Sequence, residues 1–415
     1  MWIRPLSVSA TCAVVLFFSA SSRAGEAEIA SEDPIGTTPA RPPSAFRAQS
    51  VEAVDTGESQ ARSRRYHLPI ATDPPADWAV LHAGLRPELG TFGGIATLAL
   101  AHARTERFYG GFSFSAIRND AGTHIGVGQL ALGRNLADKN IGVAQLSLTE
   151  NRARTFVGVG QTALAYNRAG TVIGAFQAGG YNRATEFDGI VQLGAYNRTD
   201  AAFNGLVEVG AMNHSKGDFT GIVQLGVVNA TGPAIFSTDH REERFAGLMQ
   251  LGAMNTVIGQ FYGLGQFGVA SFTSGTFAGP VQLGGVSVGA QRFRGLLQVG
   301  IAAFTGDSIG VQLGAGTIAF EKHVGLQLGV GTYAKGVDGA QVGVVNLGGR
   351  VRGVQVGMVN HARTLRGLQI GLVNHAEDGV LPWTTILNMG FGDGDDDLGD
   401  EENDREARAA WGNDS

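Results

Sequence analysis

Apolar and polar residues alternate in short runs between about residues 126 and 374, and the runs recur about every sixteen residues. In the run GIVQLGVVN, for example, Val223 and Leu225 flank Gln224. Alternation with a period of two is typical of a β-strand that has two unlike faces. Glycine recurs too often for any stretch of helical period to survive. The pattern therefore predicts an all-β body.

Each repeat places a glutamine between apolar residues, with an asparagine five or six positions later and often a phenylalanine five positions earlier. The glutamine slot holds Gln129, Gln145, Gln161, Gln177, Gln192, Glu208, Gln224, Gln250, Gln266, Gln282, Gln298, Gln312, Gln327, Gln341, Gln355 and Gln369. The asparagines are Asn135, Asn151, Asn167, Asn182, Asn197, Asn213, Asn229, Asn255, Asn346, Asn360 and Asn374. The phenylalanines are Phe156, Phe187, Phe203, Phe219, Phe245, Phe261, Phe277 and Phe293. Self-similarity at a fixed period indicates a tandem-repeat architecture.

Two all-β architectures could use such strands. An up-and-down barrel alternates short turns with long loops, so its repeat lengths should alternate as well. The observed lengths are uniform at first and then drift from sixteen to fourteen, which favours a β-solenoid whose coils are related by translation. We expect sixteen coils and a rod of about 75 Å, at roughly 4.8 Å per coil. An antiparallel outer-membrane β-barrel of about sixteen strands remains the alternative.

The slots have structural roles in such a solenoid. We expect inward Val, Leu and Ile side chains to form a continuous apolar column, and the phenylalanines to stack along one edge. Glutamine and asparagine at fixed turns can hydrogen-bond their amides to the coils above and below. Glycine suits the corners, because it tolerates left-handed backbone and close approach.

The regions outside the repeats differ in composition. The N-terminus has Arg4, an apolar run and small residues leading to Ala24, as in a secretory signal peptide. The predicted organisation is a signal peptide (1–24), a disordered linker (25–77), N-terminal strands that cap the body (78–125), the repeat body (126–375), a C-terminal cap strand (376–391) and an acidic disordered tail (392–415). Cys12 is the only cysteine and lies in the signal peptide, so the mature chain would contain no thiol.

Composition and motifs limit the possible functions. The formal net charge is −6 and only 16% of residues are charged, so there is no basic excess to attract nucleic acid. The chain has no nucleophile, zinc-binding or phosphate-cradling motif. We therefore expect a protein that is not an enzyme and that uses no cofactor or metal.

The phrases GVQVGMVNHARTLRG and GLQIGLVNHAEDG, followed by LPWTTILNMGF, resemble the bacterial surface-repeat proteins first described from spirochaetes. The resemblance is strongest between about Gly339 and Phe391 and extends more loosely over residues 126–374. It implies an exported or surface-exposed protein of a Gram-negative bacterium, and it implies location more than mechanism. The Asn-Arg pairs of the first half depart from the family pattern.

Two groups of residues are candidates for ligand binding. Arg152, Arg168, Arg183 and Arg198 each follow a repeat asparagine, so a solenoid would align them along one edge. Such a row could hold the acidic groups of a polysaccharide through forked hydrogen bonds; acidic neighbours could equally balance it as a solvated turn. The single insertion between repeats contains Asp239 and His240, where a loop could carry recognition or be merely tolerated.

These observations predict an exported, surface-associated, non-catalytic β-repeat scaffold, whose partners would be cell-envelope polysaccharides or surface proteins. The alternative function is an outer-membrane barrel that conducts or anchors. A polysaccharide-cleaving solenoid is a weaker third hypothesis, because glycoside cleavage needs paired carboxylates that the repeat strands almost entirely lack.

Overall fold

The computed structural model describes residues 77–233 and 243–391, and within these ranges the chain is all-β without a helix. The predicted signal peptide and the acidic tail lie outside the described residues, as does nearly all of the predicted linker. The described chain forms a β-solenoid, in which one polypeptide winds repeatedly around a common axis.

Within the described ranges there are twenty-four strands, and the two longest run without a break through several coils. Their bounds are β1 Asp77–Trp78, β2 Leu81–Gly84, β3 Glu88–Ala99, β4 His102–Ser115, β5 Arg118–Ala131, β6 Arg134–Ser147, β7 Glu150–Asn204, β8 Val207–Val209, β9 Met212–Ser215, β10 Phe219–Thr220, β11 Val223–Leu225, β12 Val228–Thr231, β13 Glu243–Ala246, β14 Met249–Leu251, β15 Met254–Val257, β16 Gly259–Tyr262, β17 Gly265–Phe267, β18 Ala270–Thr273, β19 Thr276–Ala278, β20 Val281–Leu283, β21 Val286–Val299, β22 Ala302–Val356, β23 Val359–Ala376 and β24 Trp383–Phe391.

Strand pairing is parallel from β1 to β23, and each repeat lies directly over the preceding one. Gln224 of β11 pairs with Glu208 of β8 on one side and with Gln250 of β14 on the other. Equivalent positions of successive repeats therefore lie above one another and are related by translation along one axis. The predicted β-solenoid is confirmed, and the alternative antiparallel barrel is wrong, because neighbouring copies do not reverse direction.

One coil contains three short strands joined by corners, as residues 245–260 illustrate. Strand β13 carries the phenylalanine slot, β14 the glutamine slot and β15 the asparagine slot. We call the three sides of the rod side A, side B and side C in this order. The inward residues Phe245, Gln250, Asn255 and Val257 are fully buried.

The rod has about 18 coils, not the sixteen predicted. The two additional coils lie at the N-terminal end, where Thr97 and Ser113 occupy the glutamine slot. Sequence reasoning assigned this region to capping strands because its slots do not hold glutamine. At about 4.8 Å per coil, the rod is about 85 Å long.

The interior contains a ladder of glutamine amides. In each step between two glutamines, the Nε2 group of one donates to Oε1 of the glutamine one coil nearer the N-terminus, as Gln266 does to Gln250 at 2.8 Å and Gln250 to Gln224 at 2.7 Å. All members from Gln129 to Gln369 are fully buried. The ladder therefore satisfies amide groups that have no access to water.

A second ladder of asparagines runs with the opposite polarity. Asn213 Nδ2 donates to Oδ1 of Asn229, one coil nearer the C-terminus, at 2.8 Å. Its other amide hydrogen reaches the backbone oxygen of Leu225 at 2.8 Å, at the corner of the next coil. Because the two ladders point in opposite directions, their amide dipoles oppose each other along the rod.

The phenylalanines form the third interior column. From Phe187 to Phe293 successive rings are nearly parallel, with centroids 4.7–5.3 Å apart. This is offset stacking at the repeat distance of the coils. His124 takes the same slot nearer the N-terminus and stacks on Phe108 with centroids 4.6 Å apart.

The prediction that inward Val, Leu and Ile form a continuous apolar column is wrong. Gln224 points inward, and its strand neighbour Leu225 points outward with 44% of its surface exposed. Glutamine and asparagine also lie on strands and not at turns. The interior is narrow and is largely filled by the phenylalanine column and by amides that bond from coil to coil, so the aliphatic side chains of side B occupy the exterior. A buried cluster that includes Val337, Val351 and Leu365 replaces the phenylalanines in the C-terminal coils.

Glycine is required at two kinds of corner. A Cβ atom on Gly226 would lie 2.5 Å from the backbone oxygen of Gly210 in the coil before it, so no side chain fits there. In the shorter C-terminal coils, a single glycine makes the corner between sides A and B. Gly353 has a φ of +138° there, which other residues rarely adopt.

Strand β24 closes the C-terminal end of the stack. It pairs antiparallel with β23, in contrast to every other strand pairing of the described residues. Asn388 on this strand donates to Oε1 of Gln369 at 3.2 Å, which gives the side-chain oxygen of the last ladder glutamine a donor.

We expect Gln266→Leu to destabilise the rod strongly. The substitution leaves Gln250 Oε1 without its donor and Gln282 Nε2 without its acceptor, and each buried unpaired group costs about 1–3 kcal/mol. Urea denaturation followed by circular dichroism measures the loss. The matched control is Gln291→Leu at an exposed position, where the change should stay within about 0.5 kcal/mol. Equal effects of the two substitutions would contradict a bonded interior ladder.

Candidate functional site

The four candidate arginines lie in one row on side C. Each directly follows an asparagine of the interior ladder, whose bonds connect Asn151, Asn167, Asn182 and Asn197 in succession. The next residue along each strand points outward, so the structure aligns Arg152, Arg168, Arg183 and Arg198 at the spacing of the coils. In the following coil, His214 pairs with Arg198 and continues the row.

Asp200 neutralises one end of this arginine row. Its carboxylate contacts Nε of Arg183 at 2.8 Å, Nε of Arg198 at 2.9 Å and Nζ of Lys216 at 3.6 Å. Partial burial acts to raise the pKa of Asp200, but the hydrogen bonds and charges of the two arginines outweigh it and lower the pKa. Arg152, by contrast, is exposed to solvent. The two halves of the row therefore differ in how strongly they could attract an anion.

A row of tyrosines accompanies the arginines, and sequence reasoning missed it. Tyr166, Tyr181 and Tyr196 each precede a ladder asparagine, so they share side C with the arginines. Their ring centroids are 6.0 and 5.1 Å apart. The guanidinium carbon of Arg168 lies 5.9 Å from the ring centroid of Tyr166, within the range of a cation–π contact. We call these tyrosines and arginines together the Tyr-Arg strip.

The insertion candidates Asp239 and His240 lie outside the described residues, so their role remains a prediction. Among the residues described, no three or more His, Cys, Asp or Glu side chains are close enough to hold a metal ion. Within the same ranges no helix is long and apolar enough to cross a membrane.

Glu208 interrupts the interior glutamine ladder. Gln224 Nε2 donates to Glu208 Oε2 at 2.8 Å, as it would to a glutamine. On the other side of Glu208, the side-chain oxygen Oε1 has no partner, and neither has Oε1 of Gln192 in the paired position. Two acceptors without a donor imply that the carboxyl group carries a proton, which can be donated to Gln192. Burial raises the pKa of Glu208 to about 8, consistent with this neutral form.

Two histidines and a tryptophan form a small stack at the C-terminal end of side C. His361 and His375 are stacked with ring centroids 5.0 Å apart, and their Nδ1 atoms are 2.8 Å apart. The Trp383 ring of β24 covers His375 with a centroid distance of 4.1 Å. Burial, and then the neighbouring His375, lower the pKa of His361. The stack covers the end of the rod and keeps the two imidazoles hydrogen-bonded to each other.

Side B and its two corners form a face without any outward charge, which we call the uncharged face. Its segments run from the glycine at the first corner to the residue before side C: 94–101, 110–117, 126–133, 142–149, 158–165, 174–180, 189–195, 205–211, 221–227, 247–253, 263–269, 279–285, 295–301, 310–315, 325–330, 339–344, 353–358 and 367–372. Their one ionisable residue is Glu208, which points inward and is fully buried. The outward-facing charged side chains that the structure describes in these coils lie on sides A and C or at the corner between them.

Comparison of the chain with protein-family models, with curated proteins and with solved structures found no match.

We predict that Glu208→Gln stabilises the protein increasingly as the pH rises. The folded-state pKa of about 8 lies above the unfolded value of 4.5, so the wild type loses stability between these pH values, by at most about 1.4 kcal/mol per pH unit. The glutamine restores the donor to Gln192 and does not titrate. Denaturation of both proteins from pH 4.5 to 8.5 measures the difference. A difference that stays constant with pH would show that Glu208 is ionised in the fold.

His124→Phe should protect the protein against acid. Burial lowers the pKa of His124 to about 4 from a usual value of 6.5, so the folded state holds the ring neutral. The neutral His124 ring therefore contributes fully to the free energy of unfolding above pH 6.5, and this contribution is lost as the pH falls towards 4. A phenylalanine continues the stack on Phe108 without titrating. Acid unfolding of the variant should begin at a lower pH than that of the wild type, and an unchanged or higher midpoint would contradict the assignment.

Proposed function

We propose that this protein is an exported, surface-associated, non-catalytic scaffold. The observation that supports this best is repetition: each exterior row presents similar side chains at about 4.8 Å intervals along a rigid rod. The interior side chains are engaged in ladders and stacks, so binding chemistry is left to the exterior rows.

A rod of this kind binds by many equivalent weak contacts. A partner that is itself repetitive engages several coils at once, and the second contact follows at a high effective concentration. Each contact can be weak while the whole interaction is useful. The arrangement suits polymers or surfaces better than single small molecules.

The Tyr-Arg strip is the part of the surface best suited to an acidic cell-envelope polysaccharide. Arginine binds carboxylate and phosphate groups through forked hydrogen bonds. Arg152 is exposed, and Arg168 lies near the ring of Tyr166. This end of the strip, away from Asp200, is where we place the polysaccharide's acidic groups. Sugar rings also pack against tyrosine side chains, which the strip supplies in the three coils of Tyr166, Tyr181 and Tyr196.

Export is supported by the predicted signal peptide and by the resemblance to bacterial surface-repeat proteins. We expect the full chain, expressed in a Gram-negative bacterium, to enter the cell envelope and to be cleaved when intact cells are treated with protease. The matched control carries Val14→Arg and Leu16→Arg in the apolar run of the signal peptide and should remain in the cytosol. Recovery of the unaltered chain from the cytosol would overturn the proposal.

The polysaccharide contact is tested by retention on an immobilised lipopolysaccharide or uronic-acid polymer. We expect Arg152→Gln with Arg168→Gln to weaken binding about tenfold or more, since two charge-assisted contacts of about 1 kcal/mol each are lost. The control variant, Arg292→Gln with Arg294→Gln, removes the same charge from side A. Equal weakening by both variants would indicate a general charge effect, and unchanged binding in the first would exclude the Tyr-Arg strip.

A further inference from the structure

The uncharged face continues along the whole rod. It begins near Ile95 in the first complete coil and ends near Leu372 in the last. At the chain's average charged content of 16%, its segments would contain about twenty charged residues. They contain only the buried Glu208. A strict exclusion of charge over about 18 coils needs a physical reason.

The same face exposes large apolar side chains along its length. Leu100 near the start, Leu296 in the second half and Leu372 near the end are 75%, 71% and 61% exposed. Monomeric soluble proteins rarely expose contiguous apolar patches larger than a few hundred Å², and larger ones mark interaction sites. This face is therefore built to be covered.

The shape of the face is a set of ridges and furrows parallel to the rod. Near the C-terminus, Val342, Val356 and Ile370 form one ridge, and Val344 and Met358 belong to the next. The furrow between them is floored by corner glycines, namely Gly329, Gly343, Gly357 and Gly371. A ridge of similar side chains at the same axial spacing would fill such a furrow.

We propose that the uncharged face is the interface of a homodimer, in which two copies of this chain pack side by side along their rods. A second copy supplies ridges whose repeat matches the coil spacing, and an isologous contact requires no charge complementarity. A face about 85 Å long and about 13 Å wide buries roughly 1,100 Å² per copy. Stable interfaces bury about 800 Å² per partner, so the area is sufficient.

The charge composition beside the face also distinguishes this occupant from a lipid surface. Elements that lie in a membrane interface combine their apolar face with basic residues that contact anionic headgroups. Both sides that flank the uncharged face carry the two signs together, as in the ion pair between Lys322 and Asp338 at 2.7 Å on side A. On side C, Arg198 pairs with Asp200 at 2.9 Å. The face is therefore better matched to a second apolar rod than to an anionic bilayer.

Sedimentation equilibrium of the purified mature chain at micromolar concentration tests the dimer. We expect a dimeric mass for the wild type, and a monomeric mass for Leu264→Arg with Leu296→Arg, which places two charges on the uncharged face. The matched control is Thr220→Arg with Tyr262→Arg, which adds the same charge to exposed positions of side A and should remain dimeric. Circular dichroism and thermal unfolding verify that each variant is folded.

If the arginine variant does not fold, Leu264→Thr with Leu296→Thr replaces it and should raise the dissociation constant at least tenfold. A monomeric wild type would overturn the proposal, as would dimers that both arginine variants retain. Flotation with neutral phosphatidylcholine vesicles provides a further measurement. A wild type that is monomeric in solution but floats with vesicles would assign the face to lipid and not to a second copy.

Discussion

The hydrogen bond between a side-chain amide and the same amide one coil away is the interaction on which this structure depends. A buried amide has a high desolvation cost unless its partners are present, and the parallel stack supplies them at the correct distance in almost every coil. The ladders fix the register, since a slip of one residue would place an aliphatic side chain against Gln250 and expose the amide. They also determine the exterior of side B: because glutamine fills the inward position there, the Val, Leu and Ile residues on either side of it face outward.

The placement of amides inside and aliphatic side chains outside on side B explains the unusual distribution of charge on the surface. The charged side chains lie on sides A and C, where Asp200 and its cationic neighbours illustrate a balanced, hydrated exterior. Side B carries apolar residues without charge over its full length. A rod with one hydrated half and one apolar half has two separate means of contact, and the proposed scaffold function and the proposed dimer use different ones. Pairing through side B would leave the Tyr-Arg strip on side C accessible to a ligand.

The sequence predicted the architecture well because the period of the glutamine slot directly reports the stacking of coils. It did not predict which face of each strand points inward. The alternation around Gln224 shows that the strand has two unlike faces but does not show which of them is buried. The usual preference for buried aliphatic residues assigned the wrong face to the interior. A useful signal was available: the slot holds one residue type almost without change, whereas its neighbours vary among Val, Leu, Ile, Met, Phe, Thr, Ala and Gly. A bonded ladder needs identical groups, but an apolar exterior does not. Tyr166, Tyr181 and Tyr196 were missed because no other repeats share them.

Hydrogen exchange of the glutamine side-chain amides, followed by NMR on the folded protein, tests the central claim most directly. The account predicts that the Nε2 protons of ladder members such as Gln250 and Gln266 exchange orders of magnitude more slowly than those of the exposed Gln291. Exchange of the ladder amides at the rate of a free glutamine would show that they face solvent, and it would contradict the polar interior from which the apolar exterior follows.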